Sequence, residues 1–163
     1  MKKILVFSDS HGEMENVSLL LSKIHEYDKV IFLGDGLSDL NWYRNYYINK
    51  IEFVKGNGDI FTALAPTEID MSVEGVNIFA THGHLYGVKG DLEKLKTKAE
   101  LLGSNIVLYG HTHKQRLTEI DGISFLNPGS LCLQYAPEYA EIEIDEKNFK
   151  IYLKNLDKMV DKK

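Results

Sequence analysis

The first third of the chain alternates unbroken apolar runs with short polar loops. Ile4-Leu5-Val6-Phe7 predicts a strand covered on both faces, and it ends in Ser8-Asp9-Ser10-His11-Gly12. Met14, Val17, Leu19, Leu20, Leu21 and Ile24 then recur at helical spacing, with Glu13, Lys23 and Glu26 in the gaps. Val30 to Leu33 predicts a second buried strand, ending in Gly34-Asp35-Gly36. Leu37 to Ile48 predicts a helix crowded with Trp42, Tyr43, Tyr46 and Tyr47, which are too many aromatics for one stripe. They form either a broad packing face or a surface for a partner or substrate. Ile51 to Val54 predicts a third strand, running into Gly56-Asn57-Gly58-Asp59.

After Pro66 the period changes. Glu68 to Val73 alternates, Glu74-Gly75 turns, and Val76 to Ala80 returns, predicting a hairpin that ends in Thr81-His82-Gly83-His84. Leu92, Leu95, Ala99 and Leu102 mark an amphipathic helix stopped by Gly103. Ile106 to Tyr109 is a further buried strand, delivering Gly110-His111-Thr112-His113. In extended backbone His111 and His113 project to one side, so they can serve one metal ion or one each of two neighbours. From Gln115 the pattern reads as antiparallel: one hairpin at Arg116–Ile120 and Ile123–Leu126, another at Tyr139–Ile144 and Phe149–Leu153. The expected architecture is an early sheet flanked by helices and a later sheet packed against it. One domain spans residues 1–154, and a charged tail follows at 155–163.

Composition changes this picture little. With 163 residues, 44% apolar and 26% charged, the chain suits one ordinary domain with a real core. A net charge of −5 gives no electrostatic ground for nucleic-acid or membrane-surface binding. The single cysteine, Cys132, lies between Leu131 and Leu133 and is expected as a packed thiol. No disulfide, signal h-region or membrane-length run is present, so a cytoplasmic protein is expected.

The candidate chemistry gathers at strand ends, the edge where open α/β sheets bind ligands. Five such ends deliver Asp9 and His11, Asp35, Asn57, His82 with His84 nearby, and His111 with His113. Five of the six histidines fall there. One aspartate after a strand is an ordinary turn or cap residue. Five loops of this kind point instead to a metal site. Carboxylate, imidazole and amide ligands without thiolate do not resemble structural zinc. Seven ligands exceed one tetrahedral ion and suit two ions sharing a carboxylate; mixed nitrogen and oxygen ligation suits Mn, Fe, Zn or Ni and by itself leaves the metal open, and two divalent ions, Mn²⁺ first, are expected.

Asp9-Ser10-His11, Gly34-Asp35, Gly56-Asn57, His82-Gly83 and Gly110-His111-Thr112-His113, in this order, resemble the calcineurin-like metallophosphoesterase superfamily. Within it the short chain is similar to the small YfcE-type phosphodiesterases, which share their fold with the retromer subunit Vps29. The resemblance implies a four-layer αββα sandwich of two mixed β-sheets flanked by helices. It implies one ion on Asp9, His11, Asp35 and His113, and a second on Asp35, Asn57, His82 and His111. It further implies two-metal hydrolysis of a small phosphoester by a metal-bridging hydroxide, with Asp35, Asn57, His82 and His84 as the catalytic residues.

The chain departs from larger members at Gly58, where they carry a histidine thought to protonate the leaving group. Activated aryl esters and diesters are therefore the expected substrates. Asp59 and His84 are substitutes for that acid or else partners that orient ligands, the latter being preferred for His84. A different class of function, a Vps29-like interaction module with little or no catalysis, stays open through the Trp42–Tyr47 segment. The same segment is the expected face for a homo-oligomer.

Overall fold

The computed structural model describes residues 1–62 and 64–156. Among the described residues, ten strands and three α-helices occur in the order β1 (Lys2–Phe7), α1 (Met14–Leu21), β2 (Lys29–Phe32), α2 (Asn41–Tyr46), β3 (Ile51–Phe53), β4 (Glu68–Val73), β5 (Val76–Thr81), α3 (Glu93–Leu102), β6 (Ile106–Leu108), β7 (Arg116–Ile120), β8 (Ile123–Asn127), β9 (Glu138–Asp145) and β10 (Asn148–Asn155). Two five-stranded mixed sheets result, ordered β10-β9-β1-β2-β3 and β4-β5-β6-β8-β7.

Strand alternation sorts the apolar runs into three cores. Ile4, Val6, Ile31 and Leu33 face Ile78, Ala80, Ile106 and Leu108 between the sheets. Leu5, Phe7, Val30 and Phe32 face outward, under Val17, Leu20 and Leu21 of α1. Phe79, Val107 and Phe125 face outward from the other sheet, under Leu95 and Ala99 of α3. Continuous apolar runs were thus required, because β1, β2 and β6 are buried on both faces. The layers run helix, sheet, sheet, helix.

The split between an early and a late sheet does not hold. β9 returns to pair antiparallel with β1, Ile4 opposite Ile142, so the last hairpin completes the first sheet. Its inner residues Ala140, Ile142 and Ile144 belong to the core between the sheets. Nor is the late region wholly antiparallel, since β8 pairs parallel with β6, Val107 opposite Phe125. The helix expected from Leu37 to Ile48 is a 3-10 turn at Leu37–Leu40 followed by the short α2. β10 reaches Asn155, and Leu156 is buried against the α1 face. Residues 157–163 of the expected tail lie outside the described residues. Among the described residues no helix is long and apolar enough to cross a membrane.

In each sheet the strands that deliver the candidate ligands are parallel: β1, β2 and β3 in one, β5 and β6 in the other. The His82 ring nitrogen Nδ1 meets the Leu33 carbonyl at 2.7 Å, and the His111 N–H donates to Asp9 Oδ2 at 3.2 Å. Both contacts cross from one sheet to the other. The five strand ends therefore open on one cleft.

Candidate metal centre

The loops at these strand ends are held in strained backbone. Asp9, His11, Asp35, His111 and His113 all have positive φ, between 43° and 69°. The other four non-glycine residues of this kind among the described residues, Glu74, Asp121, Glu146 and Lys147, sit in hairpin turns. Left-handed conformations cost roughly 1–3 kcal/mol each in side chains that do not favour them, and concentrate where geometry serves function. Extended backbone at His111 and His113 was the wrong premise. Two left-handed residues flanking Thr112 aim the rings, rather than the two-residue repeat of a strand.

Asp9 is fully buried and has its two oxygens differently employed. Oδ2 accepts from the Ser8 hydroxyl at 2.5 Å and from the His111 N–H. Oδ1 has no hydrogen-bond partner and lies 3.0 Å from His113 Nε2 and 3.4 Å from His11 Nε2. The two imidazole nitrogens are 3.2 Å apart. Two ligand atoms held about 2.1 Å from one ion stand about 3.0 Å apart at a right angle and about 3.4 Å at the tetrahedral angle. The Asp9, His11 and His113 atoms match that spacing.

The second group comprises Asp35, His82 and His111, whose ligand atoms lie within 4.8 Å of one another. The His82 Nδ1–H is committed to the Leu33 carbonyl, so Nε2 carries the lone pair of the neutral ring. That buried Nε2 also lacks a hydrogen-bond partner, although it stands 3.4 Å from Asp35 Oδ2 and 4.0 Å from Asp9 Oδ1. A lone pair facing two carboxylates in a dry site is unfavourable until a cation joins them. Asp35 Oδ2 is 3.4 Å from His82 of this group and 3.7 Å from His11 of the other. It stands between the two.

Burial pushes the Asp35 carboxyl up, but His82, the Gly58 N–H and His11 outweigh it and bring it down to about 2. Burial likewise pulls His82 down, and the Asp35 and Asp9 carboxylates overcome this to raise it. His111 is lowered, first by burial and then by the charges of His82 and Lys89. His84 is lowered by burial and by His82.

Asn57 is exposed in the loop after β3. Its neighbours press on Asp35: the Gly58 N–H donates to Asp35 Oδ1 at 2.7 Å, and a Cβ on Gly56 would meet that oxygen at 2.0 Å. Gly56 is therefore required by close approach. The His84 ring lies 5.4 Å from the His82 ring and 6.2 Å from that of His111, with a buried, unpartnered Nδ1. No side-chain hydrogen bond ties it to a ligand among the described residues, so it borders the second group by ring packing.

Asp59 is a clamp. Its Oδ2 accepts the N–H groups of Asp35 (2.7 Å) and Gly56 (2.8 Å), and its Oδ1 those of Gly36 and Leu37, both at 2.9 Å. A carboxylate used four times as an acceptor is unsuited to giving a proton, which removes Asp59 as a substitute acid. Asn127 is buried and donates to the Gly110 carbonyl and to Thr112 Oγ1, both at 3.0 Å. It fixes the loop that carries His111 and His113. Sequence reasoning also missed Asp39, which accepts from Ser10 Oγ and the Gly12 N–H at 2.7 and 2.8 Å. Its spacing from the Asp9 loop offered no signal. Cys132 is only partly buried, and its N–H donates to the Asp9 carbonyl at 3.2 Å.

A family model described as the calcineurin-like phosphoesterase superfamily domain matches residues 1–147. The chain belongs to this superfamily. It is 33% identical to the probable metallophosphoesterase YsnB of Bacillus subtilis over 80% of this chain and 75% of that protein. It is 34% identical to vacuolar protein sorting-associated protein 29 of Schizosaccharomyces pombe, over 88% of this chain and 79% of that one. A crystal structure from Streptococcus pneumoniae, described as a predicted phosphoesterase, superimposes with a TM-score of 0.81 at 32% identity, covering 96% and 90% of the two chains. The superfamily binds divalent metal ions, and the two ligand groups suit such ions.

Proposed function

We propose that this protein is a dinuclear metal-dependent phosphodiesterase. The observation that carries the reading is the position of Asp35 Oδ2, within 3.7 Å of an imidazole of each ligand group. Asp9, His11 and His113 would hold one ion, with Asp35 shared. His82, His111 and Asn57 would complete the other. Mn²⁺ is the proposed metal, and mixed nitrogen and oxygen ligation suits Zn, Fe and Ni as well. Two such ions, when bound, would supply Lewis acidity and an ionised water at neutral pH, the requirements of in-line phosphoester hydrolysis.

The chain's own residues orient and exclude. Ser8 and the His111 N–H turn Asp9 so that Oδ1 faces the cleft. Leu33 fixes the His82 tautomer, and Asp59 fixes the loop of Asp35. With glycine at position 58, Asp59 committed as an acceptor and the His84 imidazole lowered by burial and by His82, no strong acid stands ready for the leaving group among the described residues. Good leaving groups, as in aryl diesters, follow as the preferred small substrates.

The similarity to the vacuolar sorting protein keeps a binding-module reading in view. Trp42 and Tyr46 favour it, because they stack at 5.2 Å while remaining 62% and 68% exposed. That face is also the proposed contact for a second copy. Hydrolysis of bis-p-nitrophenyl phosphate with added Mn²⁺, beside an Asp35→Asn control, separates the readings. Metal-stimulated turnover lost in the control is expected; no stimulation, or equal turnover in both, sinks the enzyme.

A further inference from the structure

Beside the metal loop lies a cavity of about 460 Å³, within the size range of small-molecule sites. Its polar lining comes from Lys89, Asp91, Tyr109, Thr112, Lys114 and Arg116. Three cations against one carboxylate is a local excess of positive charge in a chain whose net charge is −5. Asp91 Oδ1 is occupied by the Glu93 N–H at 3.0 Å. Arg116 rests its Nε on Thr118 Oγ1 at 2.9 Å. Among the described residues neither lysine ammonium of this cavity has a carboxylate partner.

The cavity shares a wall with the candidate centre. Thr112 lies between His111 and His113, and its hydroxyl accepts both Asn127 Nδ2 at 3.0 Å and the Lys114 N–H at 3.2 Å. The loop that aims the two imidazoles therefore also fixes the backbone of Lys114. A planar guanidinium and two point-charge ammoniums suit a compact dianion better than a carboxylate. Confinement to one cavity, rather than a stripe along the surface, does not suit a nucleic-acid strand.

We propose that this cavity is a subsite for a second phosphate group on the substrate, so that the preferred substrate carries a phosphomonoester besides the ester that is cleaved. The proposal rests on the phosphoesterase reading above. It makes Lys89, Lys114 and Arg116 specificity residues, with no part in the bond-breaking step.

Two esters with one leaving group test it: thymidine 5′-(p-nitrophenyl phosphate) with and without a 3′-phosphate. The wild-type protein with Mn²⁺ is expected to favour the 3′-phosphorylated ester about tenfold or more in kcat/KM. In a Lys89→Ala/Lys114→Ala/Arg116→Ala variant that ratio should fall toward one. Lys94→Ala, which removes an exposed lysine of α3 outside the cavity, should leave the ratio unchanged. A wild-type ratio near one, a ratio that survives the triple substitution, or an equal fall with Lys94→Ala overturns the proposal. Turnover of the ester lacking the 3′-phosphate reports on the phosphoesterase reading alone. If that turnover is absent, calorimetric binding of thymidine 3′,5′-bisphosphate to the metal-free protein decides the subsite. Binding weakened about tenfold in the triple variant supports it, and equal binding overturns it.

Discussion

Asp59→Asn removes a negative charge and no heavy atom from the clamp that shapes the Asp35 loop. Four backbone N–H groups converge on the carboxylate, two on each oxygen. An amide has one oxygen, so two of the four donors must face an NH₂ whichever way it turns. A hydrogen bond to a charged group contributes about 1.5–3 kcal/mol, so two lost bonds set an upper range of about 3–6 kcal/mol. Asp59 is only partly buried, and water can replace part of that loss. The expected destabilisation is therefore about 3 kcal/mol, well inside the stability of a typical domain. For a chain of this size it lowers Tm by roughly 6–12 °C.

The functional effect should exceed the structural one. One orientation of the amide releases the Asp35 N–H itself and the other releases those of Gly36 and Leu37 just after it, so either way the loop that holds Asp35 at a φ of 59° loses half of its support. Freed from the clamp, Asp35 relaxes toward ordinary backbone and its carboxylate leaves the point between the two ligand groups. A displacement of about 1 Å at such a site costs on the order of a hundredfold in rate. Urea unfolding, bound-metal analysis and turnover of an aryl diester on the same preparation measure all three effects. A variant within about 0.5 kcal/mol of wild type that keeps its metal content and rate would refute the reasoning.

His111→Ala and His113→Ala should each lower the bound-metal count from two toward one, and loss of both ions in either variant would contradict two separable sites. Gly58→His should raise turnover of poor leaving groups relative to good ones. The new Cβ lies 3.1 Å from Asp35 Oδ1, so a small shift of that side chain accompanies it, and an unchanged leaving-group dependence would count against the missing-acid account. Glu141 supplies a pH signature: burial raises its carboxyl, but the Lys154 ammonium at 2.7 Å and the Tyr27 hydroxyl at 2.5 Å outweigh this and lower it from 4.5. A group depressed in the folded state stabilises above its unfolded value and loses that contribution as pH falls through the folded one. Tm should therefore fall more steeply below pH 4.5 in the wild type than in Glu141→Gln, and parallel profiles would remove Glu141 from the acid transition.

The sequence showed the strand ends well because burial on both faces leaves no room for polar residues until a strand stops. Asp9, Asp35, His82 and His111 each follow such a stop after one small residue (Ser8, Gly34, Thr81 and Gly110), so their convergence could be anticipated. Sheet membership could not. The pairing of β9 with β1 joins residues about 140 positions apart, Ile4 with Ile142, and alternation within β9 is the same whichever sheet it enters. The supports of the site were hidden for a related reason. Asp59 and Asn127 look like turn residues, and their roles exist only through amides and carbonyls of other loops. Left-handed backbone at His111 and His113 had no marker either, since glycine is the residue that usually announces it.

Those left-handed residues bear on how this protein can be engineered. At His11, His111 and His113 glycine would relieve backbone strain, so a library screened for thermal tolerance in chelator would be drawn toward glycine there. Every such winner would have discarded a side chain of the cleft. At these three positions selection for endurance and selection for turnover should pull in opposite directions, and a homologue that keeps all three against that pull is one still selected for the use of its cleft.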